Sequence, residues 1–277
     1  MQPALMQATS RESLAALRDE LDRTVEPLSA DASLELADDL FAIASLLDTE
    51  IGLRRTLGDA ASPASARAGL LQRILGGKVG EQALHVSSAA VSLAWSVPGD
   101  IVDALIEAAR QSALAGAEKA GAIDRVEDEL FRFARILEAN GELEQALGDV
   151  NRSVESREKL LDDVLADKVH PVTKQLVAKA VATPRGQSVY SGVESLVELA
   201  AKRRARSVAI VTSPVALTPA QEQRLSESLR KVYGREIAIS VDVDRTVIGG
   251  LRVQVGDDLI DGTIANRLND AQRRFAG

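Results

Sequence analysis

Three glycines near the C-terminus have the composition of a phosphate-binding turn, in which backbone N–H groups contact an anion. Gly249 and Gly250 are adjacent, and Gly256 follows six residues later. That spacing fits neither a G-x-G-x-x-G loop nor a Walker loop with its Lys-Ser/Thr pair. Glycines inside a strand pattern more often mark a bulge or a close backbone approach. The spacing therefore favours a structural role.

Three carboxylates in the same stretch could hold a magnesium ion. They are Asp257, Asp258 and Asp261. An EF-hand would need a twelve-residue ligand pattern that ends in glutamate, and the sequence lacks it. We interpret these residues as solvated turn residues, and Asp261-Gly262-Thr263 as a turn and N-cap for a final helix. We therefore predict no metal site, and a structural signature that consists of Gly249, Gly250, Gly256, Asp261 and Gly262.

The other reactive side chains do not form a catalytic group. The chain has no cysteine and two histidines, His85 and His170. Neither histidine has a Ser or Asp partner at a spacing that indicates a catalytic group. Lys202-Arg203-Arg204 and Arg206 form a basic run without the interleaved aromatic residues that stack on bases. At a helix C-terminus such a run complements the helix dipole. The sequence argues against an enzyme, and neither a cofactor nor nucleic acid is expected.

The composition favours packed helices. Of 277 residues, 45% are hydrophobic and 3% aromatic, so the cores must be built from Leu, Val, Ile and Ala. The net charge of −8 makes a polyanion a poor partner. No stretch reaches the ~18–20 apolar residues of a membrane helix, and the N-terminus lacks the basic start of a secretory signal. We expect a soluble cytoplasmic chain that reaches a membrane only through partners.

An internal repeat relates two parts of the chain at an offset of 90 residues. Leu36–Val79 aligns without a gap to Val126–Val169, with fifteen identical positions. Leu57-Gly58-Asp59 recurs as Leu147-Gly148-Asp149, followed by Arg and Leu-Leu at equal distances. Shared composition explains scattered leucines but explains these matched breaks poorly. We therefore favour duplication, which predicts equivalent burial for the pairs Leu40 and Leu130, Leu47 and Leu137, and Leu71 and Leu161.

Each repeat is predicted to be a helical bundle. In the first, an apolar stripe at helical spacing contains Leu36, Leu40, Ile43, Leu47 and Ile51. Gly58 is placed to end that region as a C′ glycine, and Ser62-Pro63 to start the next helix, with the serine as N-cap. The counterpart of that helix in the second repeat starts at Ser153. Residues 101–117 are expected to end the first bundle and to serve as the first helix of the second.

The pattern changes from a helical to a two-residue period at Ser207. Val208, Ile210 and Val211 predict a buried strand, Thr218–Gln221 a capping box, and Ile237–Val243 a second strand. Leu251–Val255 and Leu259-Ile260 predict a hairpin, and residues 263–275 a last helix. The fold class is therefore mostly α, with two related helical bundles (residues 1–117 and 118–205). A small α/β domain with a short mixed sheet follows (residues 206–277).

This C-terminal stretch resembles one family, the delta subunit of the F-type ATP synthase, or oligomycin-sensitivity-conferring protein (OSCP). The resemblance rests on Val-Asp-x-x-Val-Ile-Gly-Gly-Leu-Arg-Val from Val243 to Val253, and on Gly-Asp-x-Leu-Ile-Asp-Gly from Gly256 to Gly262. Residues 127–204 are similar to the family's N-terminal bundle of six helices. The first bundle is surplus, because an ordinary member has one, and this duplication looks like the actinobacterial branch.

The resemblance implies a non-catalytic subunit of a proton-translocating ATP synthase. In the family, the N-terminal bundle binds N-terminal helices of alpha subunits, the C-terminal domain holds the C-terminal region of the b subunit, and both resist rotor torque. One copy per complex is expected, at the cytoplasmic side of the plasma membrane. The alpha-binding groove lies between the first and fifth helices of the bundle. Either bundle could provide it, and we favour two partner-binding bundles.

Two hypotheses compete with this interpretation. One is an unrelated helical-repeat adaptor with a small α/β module, and the other is a small-molecule enzyme that uses the glycine-rich hairpin. The absence of a nucleophile, a base and an oxyanion site from the sequence disfavours the enzyme.

Overall fold

A computed structural model describes residues 6–166, 168–206, 208–233, 237–247, 249–256 and 258–262. The chain divides into two compact units, Met1–Ala200 and Ala201–Gly277. The first unit is helical, and its last helix runs a few residues past that boundary. Its helices are α1 Ala8–Val25, α2 Ala30–Thr49, α3 Ile51–Leu57, α4 Ala64–Leu75, α5 Glu81–Ser92, α6 Gly99–Lys119, α7 Ile123–Ala139, α8 Gly141–Gly148, α9 Val154–Leu165, α10 Pro171–Ala182 and α11 Val189–Arg206.

Amphipathic helices of this unit bury their apolar stripes in one continuous core. Leu36, Leu40, Ile43 and Leu47 are buried on one face of α2, as predicted. The inclusion of Ile51 in that stripe was wrong, because α2 ends at Thr49 and Ile51 begins α3 with 51% of its surface exposed. None of the helices in the described part of the chain is long and apolar enough to cross a membrane.

The helix bounds reproduce the sequence repeat. Helices α4 and α9 begin and end 90 residues apart, and so do α5 and α10. The three leucine pairs are all buried, which confirms the prediction of equivalent burial. The boundary between two bundles at residues 117 and 118 lies inside one compact unit and stays a prediction.

The two copies begin their fourth helix differently. In the first copy Pro63 itself is the N-cap of α4 and Ala64 the first helical residue, so the predicted serine cap at Ser62 was wrong. Ser62 instead donates its hydroxyl to Asp59 Oδ2 at 2.9 Å, within the turn that precedes the helix. In the second copy Ser153 caps α9 as predicted, and its Oγ accepts the Ser156 N–H at 3.2 Å. Gly58 ends α3 as predicted, as its C-cap and with an ordinary φ of −91°.

A buried arginine occupies the same position in both copies. Arg67 donates from Nη1 to the Leu93 carbonyl at 3.1 Å and from Nη2 to the Ser92 carbonyl at 3.3 Å. Its equivalent, Arg157, donates from Nη1 to the Val181 carbonyl at 2.5 Å. Each guanidinium therefore satisfies carbonyls at the C-terminal end of the fifth helix of its copy, where the helix dipole favours a cation. In the described residues, Nε of both arginines lacks a hydrogen-bond partner.

A carboxylate also joins the second and fifth helices of each copy. Asp39 Oδ2 accepts the Gly80 N–H at 2.7 Å. Ninety residues further on, Glu129 Oε2 accepts the His170 N–H and the Thr173 hydroxyl, both at 2.7 Å. Burial raises the pKa of Glu129, but the bonds from Thr173, His170 and Arg125 outweigh it, so the pKa lies below its ordinary value.

The second unit is a small mixed sheet with one helix. Its elements are β1 Val208–Ser213, α12 Pro219–Tyr233, β2 Ala238–Val243, β3 Arg252–Val255 and β4 Asp258–Asp261. The strand order is β2-β1-β3-β4, with β2 parallel to β1 and the other two pairs antiparallel. The capping box before α12 is confirmed, because Thr218 N donates to Gln221 Oε1 at 2.9 Å and Thr218 Oγ1 accepts from Gln221 N at 3.4 Å.

The inward face of β1 differs from the prediction. Ala209 and Val211 are buried, whereas Ile210 is 49% exposed and Val208 only partly covered. Side chains alternate between the two faces of a strand, so Ile210 and Val211 cannot enter the same core. The predicted last helix at residues 263–275 lies outside the described residues.

We predict that Glu129→Gln lowers the free energy of unfolding near neutral pH by about 1–2 kcal/mol, because a neutral amide accepts these bonds less strongly. The folded-state pKa is depressed, so this stabilisation is present above the unfolded pKa of about 4.3 and is lost as pH falls through the folded value. Urea unfolding of both proteins should therefore converge at acidic pH. Glu35→Gln, at an exposed position on α2, is the control and should change little.

Candidate partner-binding surfaces

The glycine signature lies in and around the β3–β4 hairpin. Gly249, Gly250 and Gly256 have φ values of 64°, 88° and 57°, a region that side-chain-bearing residues rarely adopt. Gly262 donates its N–H to the Leu251 carbonyl at 2.9 Å, and a Cβ there would lie 3.2 Å from that oxygen. Asp261 pairs across the strands with Arg252 at 3.6 Å. These contacts support the structural role, which stays a prediction. Asp257 and Thr263 lie outside the described residues.

The other candidate residues do not assemble into a reactive site. No group of three or more His, Cys, Asp or Glu side chains suited to a metal occurs in the part of the chain that the structure describes. His85 Nε2 lies 2.6 Å from Glu20 Oε1, joining α5 to α1, and this bond together with Arg23 lowers the pKa of Glu20. His170 caps α10, because its Nδ1 accepts the Val172 N–H at 3.2 Å. The basic run occupies the end of α11.

One surface of the first unit is already occupied by a helix. Helix α2 lies against α6 and α10, which are the first and fifth helices of the second copy. Gln175 Nε2 donates to Asp38 Oδ1 at 2.6 Å, and Lys179 Nζ lies 5.8 Å from the centroid of the Phe41 ring. We call the surface between α6 and α10 the covered groove. A small cavity remains there, lined by Phe41, Ala44, Ser45, Asp48, Ile106, Arg110, Lys179, Ala182 and Thr183.

An ionic cluster holds α2 in this position. Arg185 donates from Nε to Asp103 Oδ1 and from Nη1 to Asp48 Oδ1, both at 2.5 Å. Burial opposes the charge of Arg185, but these two carboxylates outweigh it and raise the pKa of the guanidinium. Arg185 also has a left-handed φ of 48°, which a residue with a side chain adopts only when its surroundings hold it there. Burial lowers the pKa of Arg110, which also faces α2.

The equivalent groove of the first copy lies between α1 and α5. Between α10 and α5, a shift of 90 residues replaces the Lys179 cation of the lining by an alanine. His85 on α5 corresponds to Gln175 on α10, and Ala89 corresponds to Lys179. On the α1 side, Glu20 faces this groove and bonds His85. We call this surface the open groove. Its lining residues are all exposed or partly exposed, and they are Ala16, Glu20, His85, Ala89, Ser92 and Leu93.

Known proteins identify the family. The protein-family model described as "ATP synthase delta (OSCP) subunit" matches residues 108–275 of this chain. The chain belongs to the ATP synthase delta (OSCP) family. ATP synthase subunit delta of Streptomyces coelicolor is 47% identical over 98% of this chain and 98% of its own length. The Streptomyces griseus protein is 44% identical over 98% and 100%, and that of Salinispora arenicola 42% over 97% and 98%.

Family membership makes this chain a non-catalytic peripheral-stalk subunit of the F-type ATP synthase, with actinobacterial relatives. An unrelated helical-repeat adaptor is thereby excluded. The family match starts at residue 108, inside α6, and leaves the preceding residues outside. The assignment of α6 as the first helix of the family bundle, and of the first copy as the surplus one, stays a prediction.

Sequence reasoning did not single out the residues that join the two copies. Asp38 and Phe41 belong to the set of positions that are identical in both copies, while Gln175, Lys179 and Arg185 do not repeat. The signal that could have located the contact is an acidic and aromatic face on α2, with Asp38, Phe41 and Asp48 at helical spacing.

We predict that Gly250→Val destabilises the C-terminal unit by about 1–3 kcal/mol, because a β-branched residue is strained at its left-handed φ. Hydrogen–deuterium exchange in the full chain should show faster exchange in β1 and β3. Gly52→Ala is the control, since that helical glycine has open space around it and should be neutral or slightly stabilising. Unchanged exchange, combined with selective loss of a small ligand, would overturn the structural role.

Proposed function

We propose that this chain links the N-terminal helices of alpha subunits in the catalytic head to the C-terminal region of the b subunit, and so resists the torque of the rotor. The observation that carries the alpha contact is the α2 helix seated in the covered groove. A groove between the first and fifth helices of this bundle thus has the dimensions to accept one helix. The open groove is its equivalent and contains no helix of the described chain.

The two grooves differ in charge, which indicates different occupants. The covered groove presents Arg110 and Lys179 to a helix whose facing side carries Asp38 and Asp48. The open groove has Ala89 at the position of Lys179, and the carboxylate of Glu20 lies beside His85 in it. An acidic helix such as α2 would therefore meet fewer cations in the open groove. A helix with basic or neutral flanks suits it better, in line with the acidic charge of the chain.

The occupancy of the covered groove argues against two equally available alpha sites. An external helix could enter between α6 and α10 only by displacing α2, Phe41 and the Arg185 ion pairs. That displacement would separate Asp48 from Arg185 and expose the buried ring of Phe41 to water. We therefore propose that one external alpha helix binds in the open groove. In this proposal the groove of the second copy holds α2 and binds no alpha helix.

For the b subunit, we propose the face of the small sheet that carries Ile210 and Leu259. The strand register aligns Ser240, Ile210, Gln254 and Leu259 in one row across β2, β1, β3 and β4. Ile210 is 49% and Leu259 58% exposed, so this row presents apolar surface. Exposed apolar side chains flanked by polar ones suit the apolar face of an amphipathic helix. The proposed site of action is the cytoplasmic side of the plasma membrane, with one copy per complex.

The open groove can be tested by blocking it. Ala89→Arg adds bulk and a cation where the groove must accept a helix, so we predict at least a roughly tenfold loss of affinity for a peptide of the alpha N-terminal helix. Isothermal titration of the full chain gives the affinity. Ala61→Arg, an exposed alanine in the α3–α4 turn, is the matched control. Equal binding by both variants would refute the open groove as the alpha site.

The b contact is tested on the sheet. Ile210→Asp should weaken binding of the soluble part of the b subunit by about tenfold or more, because it puts a charge in the centre of the apolar row. ATP hydrolysis by the isolated head should be unchanged, since the chain is not catalytic. Val215→Asp makes the same chemical change at a position 66% exposed outside the strands. If Val215→Asp weakens binding equally, the contact does not lie on this face.

A further inference from the structure

Two phenylalanines at equivalent positions have different surroundings. Phe41 on α2 is 6% exposed, and Phe131, ninety residues later on α7, is 53% exposed. Phe41 is covered because α10 lies on it and places the Lys179 ammonium over its ring at 5.8 Å. No helix of the described chain takes the corresponding place over Phe131. A large aromatic side chain left half in water is the kind of residue that interfaces bury.

The acidic residues around the two rings are also repeated. Asp38 and Asp48 on α2 correspond to Asp128 and Glu138 on α7. In the first copy, Asp38 accepts from Gln175, and Asp48 accepts from Arg185. In the second copy, Asp128 pairs with Arg132 at 2.9 Å and Glu138 with Arg135, both on the same helix and exposed. Exposed pairs of this kind contribute little and exchange readily for other partners.

We infer that the α7 surface around Phe131, with Asp128 and Glu138, is a docking surface for one basic amphipathic helix of another ATP synthase subunit. The equivalent surface of the first copy is already bound in this way by α10. The matching chemistry is an apolar stripe over the ring, a cation above its face, and an amide or cation that donates to each carboxylate. The required donor and cation are four residues apart, as Gln175 and Lys179 are.

This surface is separate from the open groove and from the sheet. The open groove belongs to α1 and α5, whereas Phe131 lies on α7 of the second copy. Asp128 and Glu138 disfavour an acidic helix on this surface. A segment of the alpha or b subunit would therefore bind here only through a basic face. The inference rests on the internal repeat and does not require the open groove to bind alpha.

Photo-crosslinking in the assembled ATP synthase tests this inference. With p-benzoylphenylalanine in place of Phe131, we expect a crosslink to a helix of another subunit whose sequence near the crosslink contains Lys or Arg. The same replacement at Val150, which is 74% exposed in the α8–α9 turn, is the control and should not label that helix. No crosslink from position 131, a crosslink within this chain, or a crosslink to an acidic segment would overturn the inference.

An affinity measurement supplies a second, independent result. Phe131→Ser should weaken binding of the full chain to the complex depleted of this subunit by about tenfold, and Val150→Ser should leave binding unchanged. Asp128→Lys should also weaken binding. Equal affinity of the Phe131 variant and the wild type would refute the docking surface. Because Ala89→Arg is assayed with the alpha peptide, failure of the open groove would be recognised separately.

Discussion

The first unit depends on one helix, α6, having packing partners on nearly every side. It contacts α1, α2, α5, α7 and α10, and almost all residues from Ile101 to Ala117 on it are buried or partly buried. Such a helix needs small residues where neighbours approach closely. At Gly116 an added Cβ would lie 2.8 Å from a methyl carbon of Leu34 and 3.0 Å from the Ala30 carbonyl oxygen, so even alanine would require these parts of α2 to shift. Close packing on α6 therefore fixes the position of α2.

The position of α2 in turn makes the two copies unequal. Because α6 ends one bundle and begins the next, the second helix of the first copy must lie beside the first helix of the second copy, and it enters the groove next to that helix. As a result of the duplication, the covered groove is occupied by α2 and connects the two bundles. The acidic face of α2 and the cations Arg110, Lys179 and Arg185 fit this internal contact. The open groove of the first copy has no corresponding helix to bind within the described part of the chain.

The sequence predicts this fold well where local and repeated signals agree. The offset of 90 residues predicts the matching bounds of α4 and α9 and of α5 and α10. It also predicts the buried leucines of both copies, because the same core must form twice. It fails where tertiary context decides. Phe41 and Phe131 have the same local sequence setting but opposite exposure, since only one has α10 above it. Ile210 is as apolar as Val211, yet only one side of the strand faces α12 and the core. The proposed partner-binding surfaces belong to this second class.

A stalk subunit must transmit force without bending at a hinge. The junction between the two copies is built from a continuous helix and ion pairs, which suit that requirement. The chain passes from one bundle to the other through continuous helix, which resists bending, rather than through a flexible linker. Arg185 then ties the loop after α10 to both α2 and α6 through two carboxylates. A torque that separated the bundles would have to expose Phe41, break these ion pairs and leave charges without partners. We propose that the duplication adds stiffness at this junction as well as the open groove of the first copy.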